Sequence, residues 1–182
     1  MARSMPRLPI FACLLALGAP LGLAACGEEH PGIDEPAREG LAVEMQGIDY
    51  NVFITRQLNP DITPDDAYVS LQAPPGEVLY GVFLEACNVS DESRESASEF
   101  TLHDNQENSF EPEPLPEDNQ FAYNPRTLLP EECIPEAGSV AQLGPTAGSM
   151  LLFQLPLDIT ENRPLELEIE TGGETRTFEL DI

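Results

Sequence analysis

Beyond residue 40, apolar and polar residues alternate with a period of two along much of the chain, and that period predicts β-strands. The last segment is the plainest. Leu165, Leu167 and Ile169 alternate with Glu166, Glu168 and Glu170, and Phe178, Leu180 and Ile182 alternate with Thr177, Glu179 and Asp181. Gly172-Gly173 between them predicts a two-residue hairpin turn. That turn sets Leu167 opposite Phe178 and Leu165 opposite Leu180, with one apolar face and one acidic face, as in a sheet half exposed to water. Upstream, Tyr50, Val52 and Ile54 alternate with Asn51, Phe53 and Thr55, and Gly47 marks a bulge or bend before them. Asn59 to Asp66 carries two prolines and breaks that strand. Glu77 to Val89 is apolar on both faces, with Val78, Tyr80, Val82, Leu84 and Ala86 on one and Leu79, Gly81, Phe83 and Cys87 on the other. A strand so patterned is central and covered on both sides. Phe100 and Leu102 alternate with Thr101 and His103, a polar turn follows at Asp104 to Asn108, and the chain returns briefly at Phe110. Leu151, Phe153 and Leu155 form one face of a further strand.

No 3.6-residue period follows residue 40, and about seven short strands in one domain predict an all-β fold, an antiparallel β-sandwich of immunoglobulin-like architecture over residues 41–182. Residues 111–147 stand apart, with seven prolines and few aliphatics, and read as a long ordered insertion. Residues 26–40 contain one large aliphatic side chain and read as an acidic, flexible tether with a reach of about 20 Å.

The amino terminus has a different grammar. Arg3 and Arg7 precede an uncharged run from Leu8 to Gly27 that ends in Leu23-Ala24-Ala25-Cys26. Basic, then apolar, then small residues is the layout of a secretory signal. Small residues leading into a cysteine at this point resemble a bacterial lipobox. The resemblance implies cleavage before Cys26, whose sulfur carries diacylglycerol, with residues 1–25 removed. The rivals are an uncleaved membrane anchor and an ordinary cleaved signal. Pro9, Gly18, Pro20 and Gly22 interrupt the run, which argues against an anchor. All three place the remainder outside the cytoplasm, because the arginines stay inside.

Cys13 falls in the leader, and a lipid on Cys26 leaves Cys87 and Cys133, an even pair in an oxidising compartment. Their bridge closes a loop worth about 4 kcal/mol in the chain-entropy account. It also pins the insertion to the central strand.

The chain also resembles a family of bacterial lipoproteins with an immunoglobulin-like extracytoplasmic domain of largely unassigned function. Three stretches carry the resemblance. They are Gly81-Val82-Phe83-Leu84-Glu85-Ala86-Cys87-Asn88, Phe100-Thr101-Leu102-His103-Asp104, and Leu151-Leu152-Phe153-Gln154-Leu155-Pro156. It spans residues 42–182 and implies a β-sandwich without catalytic residues. The proline-rich insertion departs from the pattern.

Charge narrows the partners. There are 33 acidic residues against eight arginines, with no lysine and a net charge of −25. Such a surface repels nucleic acid and anionic headgroups. Unpatterned acidity serves solubility and adaptation to salt, and a surface that binds cations or a basic partner is the alternative. No segment matches the twelve-residue calcium loop, and Asp104 to Asn108 reads as a turn. A catalytic triad has one base available, His103, and no nucleophile motif, since Ser139 and Ser149 lack the flanking glycines of a nucleophile elbow. Zinc has no ligand spacing, and no carboxylate pair is singled out for glycoside hydrolysis. No cofactor, metal or catalytic residue is therefore expected. Phe121, Tyr123 and Arg126 are the candidate interaction surface, being of the types enriched at interface anchors. The alternative is that both rings cap the core.

The expected function is a lipid-anchored, non-enzymatic interaction or accessory module at the cell envelope, partnered with an envelope protein. A cation-binding module is the second reading and a carboxylate-dependent hydrolase a distant third. Oligomeric state is open. Thiol titration of the exported, denatured, unreduced protein is expected to find Cys87 and Cys133 unreactive, and two reactive thiols would remove the bridge.

Overall fold

A computed structural model describes residues 31–33 and 35–182. The leader, Cys26 and the first residues of the tether lie outside the described residues. In chain order the strands are β1 (Ala37–Arg38), β2 (Val43–Met45), β3 (Ile48–Leu58), β4 (Glu77–Asn88), β5 (Arg94–Glu95) and β6 (Glu99–His103). They continue with β7 (Ser109–Phe110), β8 (Thr127–Leu128), β9 (Cys133–Ile134), β10 (Ser149–Pro156), β11 (Leu165–Thr171) and β12 (Glu174–Leu180). Seven of these exceed two residues, the number the alternation predicts. One sheet runs β1-β12-β11-β6-β7 and the other β10-β4-β3-β2, with β9 added beside β4. The two pack face to face as a β-sandwich.

The hairpin β11–β12 has the expected register, Leu165 opposite Leu180 and Leu167 opposite Phe178. Gly172 and Gly173 have φ of 57° and 80°, the doubly left-handed turn that matches strand twist. Gly47 does the same work: Gln46 and Gly47, at φ 53° and 82°, turn β2 into β3, so the expected bend there is a hairpin turn.

The bulge lies six residues later. The pairing of β3 with β4 slips between Val52 and Ile54, and Phe53 is the extra residue. A one-residue slip exchanges the faces of a strand. The expected alignment of Ile54 with Tyr50 and Val52 therefore fails: Ile54 is 41% exposed and Thr55 turns inward to 4%. The Thr55 hydroxyl is left without a hydrogen-bond partner.

Two apolar clusters flank β4. The main one fills the sandwich, with Tyr50, Val52, Val82, Leu84, Phe153, Leu167 and Phe178 at its centre. The second lies on the outer face and contains Leu58, Tyr68, Leu79, Phe83, Phe121, Met150 and Leu152. Its cover comes from two single helical turns, α1 (Asp65–Tyr68) and α2 (Val140–Leu143), and from the insertion. Tyr68 stands edge-on to Phe83 and Phe121 at 5.1 and 4.7 Å. Each fully buried ring here contributes about 2–3 kcal/mol through burial alone. The helical turns are too short to give a 3.6 period, which is why the sequence pattern hides them. α1 is held by Asp65, which pairs with Arg56 and accepts the Asn59 N–H at 2.9 Å.

The tether is shorter than residues 26–40. Ala37 and Arg38 form β1, parallel to β12, with Ala37 at 2% exposure. Arg38 reaches Glu179 at 2.7 Å, supplying a cation where Glu179 otherwise faces Glu166. The sheet is antiparallel apart from this pair, because the incoming chain runs alongside the last strand.

Cys87 and Cys133 form the disulfide across 46 positions, joining β4 to β9. β10 covers β4 only as far as Leu84, and β9 takes up Ala86 and Cys87. Next to the bridge, Asn88 is 1% exposed. Its Nδ2 donates to the carbonyls of Glu92 (2.7 Å) and Leu128 (2.9 Å), and its Oδ1 accepts the Ser90 N–H and hydroxyl. A fully used amide in this position serves the fold, and the formal Asn88-Val89-Ser90 sequon is closed to glycosylation. Asn88→Ala is expected to lower the unfolding free energy by about 2–3 kcal/mol in urea titrations. Asn88→Asp keeps the size yet costs a similar amount, because a carboxylate cannot donate to the two carbonyls.

Candidate functional site

Edge strands with unpaired backbone invite other chains. The insertion treats the two sheets differently in this respect. Along β10 it supplies backbone partners: Glu113 N–H donates to Leu152 at 2.7 Å, Met150 N–H to Phe121 at 2.6 Å, and Tyr123 N–H to Met150 at 3.0 Å. Along β6 it does not. β7 pairs only with Leu102 and His103, and its register, Phe110 opposite Leu102, would bring Pro112 opposite Phe100. Proline has no N–H, so the ladder stops. The chain then leaves β6 for β10, and a wedge opens between Ser98–Thr101 and Glu111–Leu115.

That wedge is a groove of about 540 Å³, lined also by Tyr123, Asn124 and Pro125. Among the described residues its charged lining is Glu99, Glu111 and Glu113, with no arginine or histidine. A second cavity of about 580 Å³ shares Ser98, Glu99 and Pro125 with it and adds Glu95, Glu170 and Arg126.

The groove wall is held by two tyrosines. Ala97 N–H donates to the Tyr50 hydroxyl at 2.7 Å, and the Tyr123 hydroxyl donates to the Ala97 carbonyl at 3.1 Å. The Tyr123 ring meets Phe100 edge-on at 5.0 Å. Burial, then the neighbouring Tyr50, pushes the Tyr123 hydroxyl far above the usual tyrosine range, so it stays a neutral donor.

The expected interaction surface is thus corrected. Phe121 and Tyr123 are 8% and 7% exposed and belong to the outer and inner clusters respectively. Two residues apart, they would share a face in a regular strand; Phe121 lies in a turn instead, and the change of direction there sends the two rings into different cores. Only Arg126 stays at the surface, where its guanidinium donates to the Cys133 carbonyl at 3.1 Å. The open β6 edge was not visible in the sequence, although Pro112 just after Phe110 is the signal that could have found it.

His103 lies on the solvent face of its sheet, with the Ser109 hydroxyl 3.0 Å from Nδ1 and a Glu168 oxygen 4.0 Å from Nε2. The last distance exceeds a hydrogen bond, so the ring lacks the orienting contact a triad needs. Among the described residues no three His, Cys, Asp or Glu side chains converge to hold a metal ion. Nor does any helix among them have the length and apolarity to cross a membrane.

The Asp104 to Asn108 segment is a turn, as its composition predicts. Asp104 is 7% exposed and accepts the Gln106 and Asn108 N–H groups at 2.9 Å, Asn108 Nδ2 at 2.8 Å and Asn162 Nδ2 at 3.1 Å. Both oxygens are used within the protein. Burial raises its pKa, but the hydrogen bonds from Asn108, Gln106 and Asn162 outweigh that and hold the carboxyl below the usual aspartate range.

No protein-family model matches the chain, and no curated protein matches it. Solved structures share its architecture. A conserved hypothetical protein from Bacillus anthracis superposes with a TM-score of 0.50 at 10% identity, over 79% of this chain and 95% of that one. An uncharacterized β-sandwich protein from Clostridium difficile gives 0.49 at 12% identity, over 81% and 95%. A Bacillus subtilis protein, ycdA, provisionally described as a lipoprotein, gives 0.48 at 14% identity. The match covers 77% of this chain but 38% of ycdA. At these identities the likeness is one of fold, and the fold is a β-sandwich.

Because Asp104 has a depressed pKa in the folded state, its contribution is complete above the unfolded aspartate value, about 3.9, and is lost as pH falls through the folded value. Asp104→Asn is expected to cost about 1 kcal/mol at pH 7, the carboxylate being covered only by a turn whose other residues, 105–108, are exposed. The gap to the unaltered protein should close below about pH 4 in denaturant titrations. A gap that stays constant down to pH 2 would assign the cost to packing instead.

Proposed function

We propose that this protein is a lipid-anchored, extracytoplasmic, non-enzymatic module that binds another component of the cell envelope. The observation that carries the binding role is the groove itself: a sandwich that closes the β10 edge with its own insertion leaves the β6 edge open beside a cavity. The address rests on Arg3, Arg7 and the Leu23-Ala24-Ala25-Cys26 run, with diacylglycerol on Cys26. The disulfide suits the oxidising compartment to which that leader leads. The immunoglobulin-like architecture implied by the sequence resemblance is of a kind with this role. The metal-ion alternative has no group of three carboxylates close enough to hold an ion among the described residues.

Two measurements test the reading. Metabolic labelling with palmitate should mark the protein, and Cys26→Ala should abolish the label and release the protein from the membrane fraction. Crosslinking on intact cells should then trap the anchored protein with a discrete partner. An unlabelled protein would remove the anchor, and a labelled protein that yields no crosslinked species would remove the binding role.

A further inference from the structure

The groove beside β6 has features that together specify an occupant. One wall is the first part of β6, Glu99–Thr101, with no backbone neighbour among the described residues on the side of β7. Such a wall accepts an extended chain, whose N–H and C=O groups complete the ladder. The ladder was ended by a proline, and among the described residues no segment fills the gap. The charged lining residues are all glutamates: Glu99 and Glu111 are exposed and Glu113 is half-buried. Their spacing brackets the open edge, one on the strand and two on the facing segment.

We infer that this groove binds an extended, lysine- or arginine-bearing segment of a partner protein, which adds as a strand to the β6 edge. The inference rests on the binding role proposed above and names its partner chemistry. Backbone pairing with the edge supplies register, and Glu99, Glu111 and Glu113 select cationic side chains on the added strand. A second copy of this chain is a poor occupant, because its net charge of −25 opposes approach.

The test uses the detergent-extracted full-length protein and a fluorescein-labelled peptide, Lys-Val-Lys-Val-Lys-Val. Anisotropy should rise on binding, with an affinity that falls at least tenfold between 50 and 500 mM salt, figures chosen on the order expected for screened charge pairs. Glu99→Gln/Glu111→Gln/Glu113→Gln should weaken binding about tenfold, and because Glu→Gln keeps the side-chain size and none of the three is fully buried, the thermal unfolding curve should be little changed. N-methylation of alternate peptide residues, tried in both frames, should abolish binding in one frame and spare it in the other. Peptide should also slow amide exchange at Phe100. No binding overturns the inference, as does equal loss or equal retention in both methylated frames, which would mean charge attraction without strand addition. If the triple variant fails with peptide yet still crosslinks its partner on cells, the groove assignment falls and the binding role stands. If neither protein crosslinks, the binding role itself falls.

Discussion

The requirement that β4 be covered on both faces organises the rest of the molecule. A strand with Val82 and Leu84 on one side and Leu79 and Phe83 on the other has no solvent face to offer. The opposing sheet satisfies the inner side. The outer side needs apolar cover from somewhere else, and the chain provides it by spending residues between the regular strands: α1 after β3, and Phe121 and α2 within the insertion. The disulfide and Asn88 then fix that cover to the end of β4. What reads in the sequence as a proline-rich interruption is, in space, the third layer over the central sheet.

That layer explains why the insertion is ordered with little regular structure. Proline restricts the unfolded chain, and carbonyl and N–H groups along it find partners in β10, in Asn88 and in the segment around Tyr68. The same prolines decide where pairing ends. Pro112 halts the β6–β7 ladder after two residue pairs and diverts the chain to the other sheet. Coverage of one edge and exposure of the other are therefore a single event at one residue.

The sequence made some of this legible and concealed the rest for physical reasons. The terminal hairpin was readable to the residue, because two adjacent glycines fix a turn and a half-exposed sheet writes its faces as alternation. Strand β4 was readable as central for the same reason in reverse. The face exchange at Ile54 was not, because a bulge inserts no signature residue: Phe53 is as good a strand former as its neighbours. Residues 37 and 38 looked like tether because two residues are too few to show a period. Phe121 and Tyr123 looked like interface anchors because composition cannot distinguish a ring that caps a core from one that meets a partner. The groove is a gap, and gaps have no side chains of their own to read.

The docking of Ala37 and Arg38 against β12 bears on the anchor proposed for Cys26. With β1 part of the sandwich and Gly32 already accepting the Thr177 N–H, five residues, 27–31, would separate a lipid on Cys26 from the folded body, a contour of about 17 Å. A domain on so short a leash would explore a thin slab parallel to the bilayer. Its partner search would then be two-dimensional, governed by lateral diffusion and surface density in place of bulk concentration.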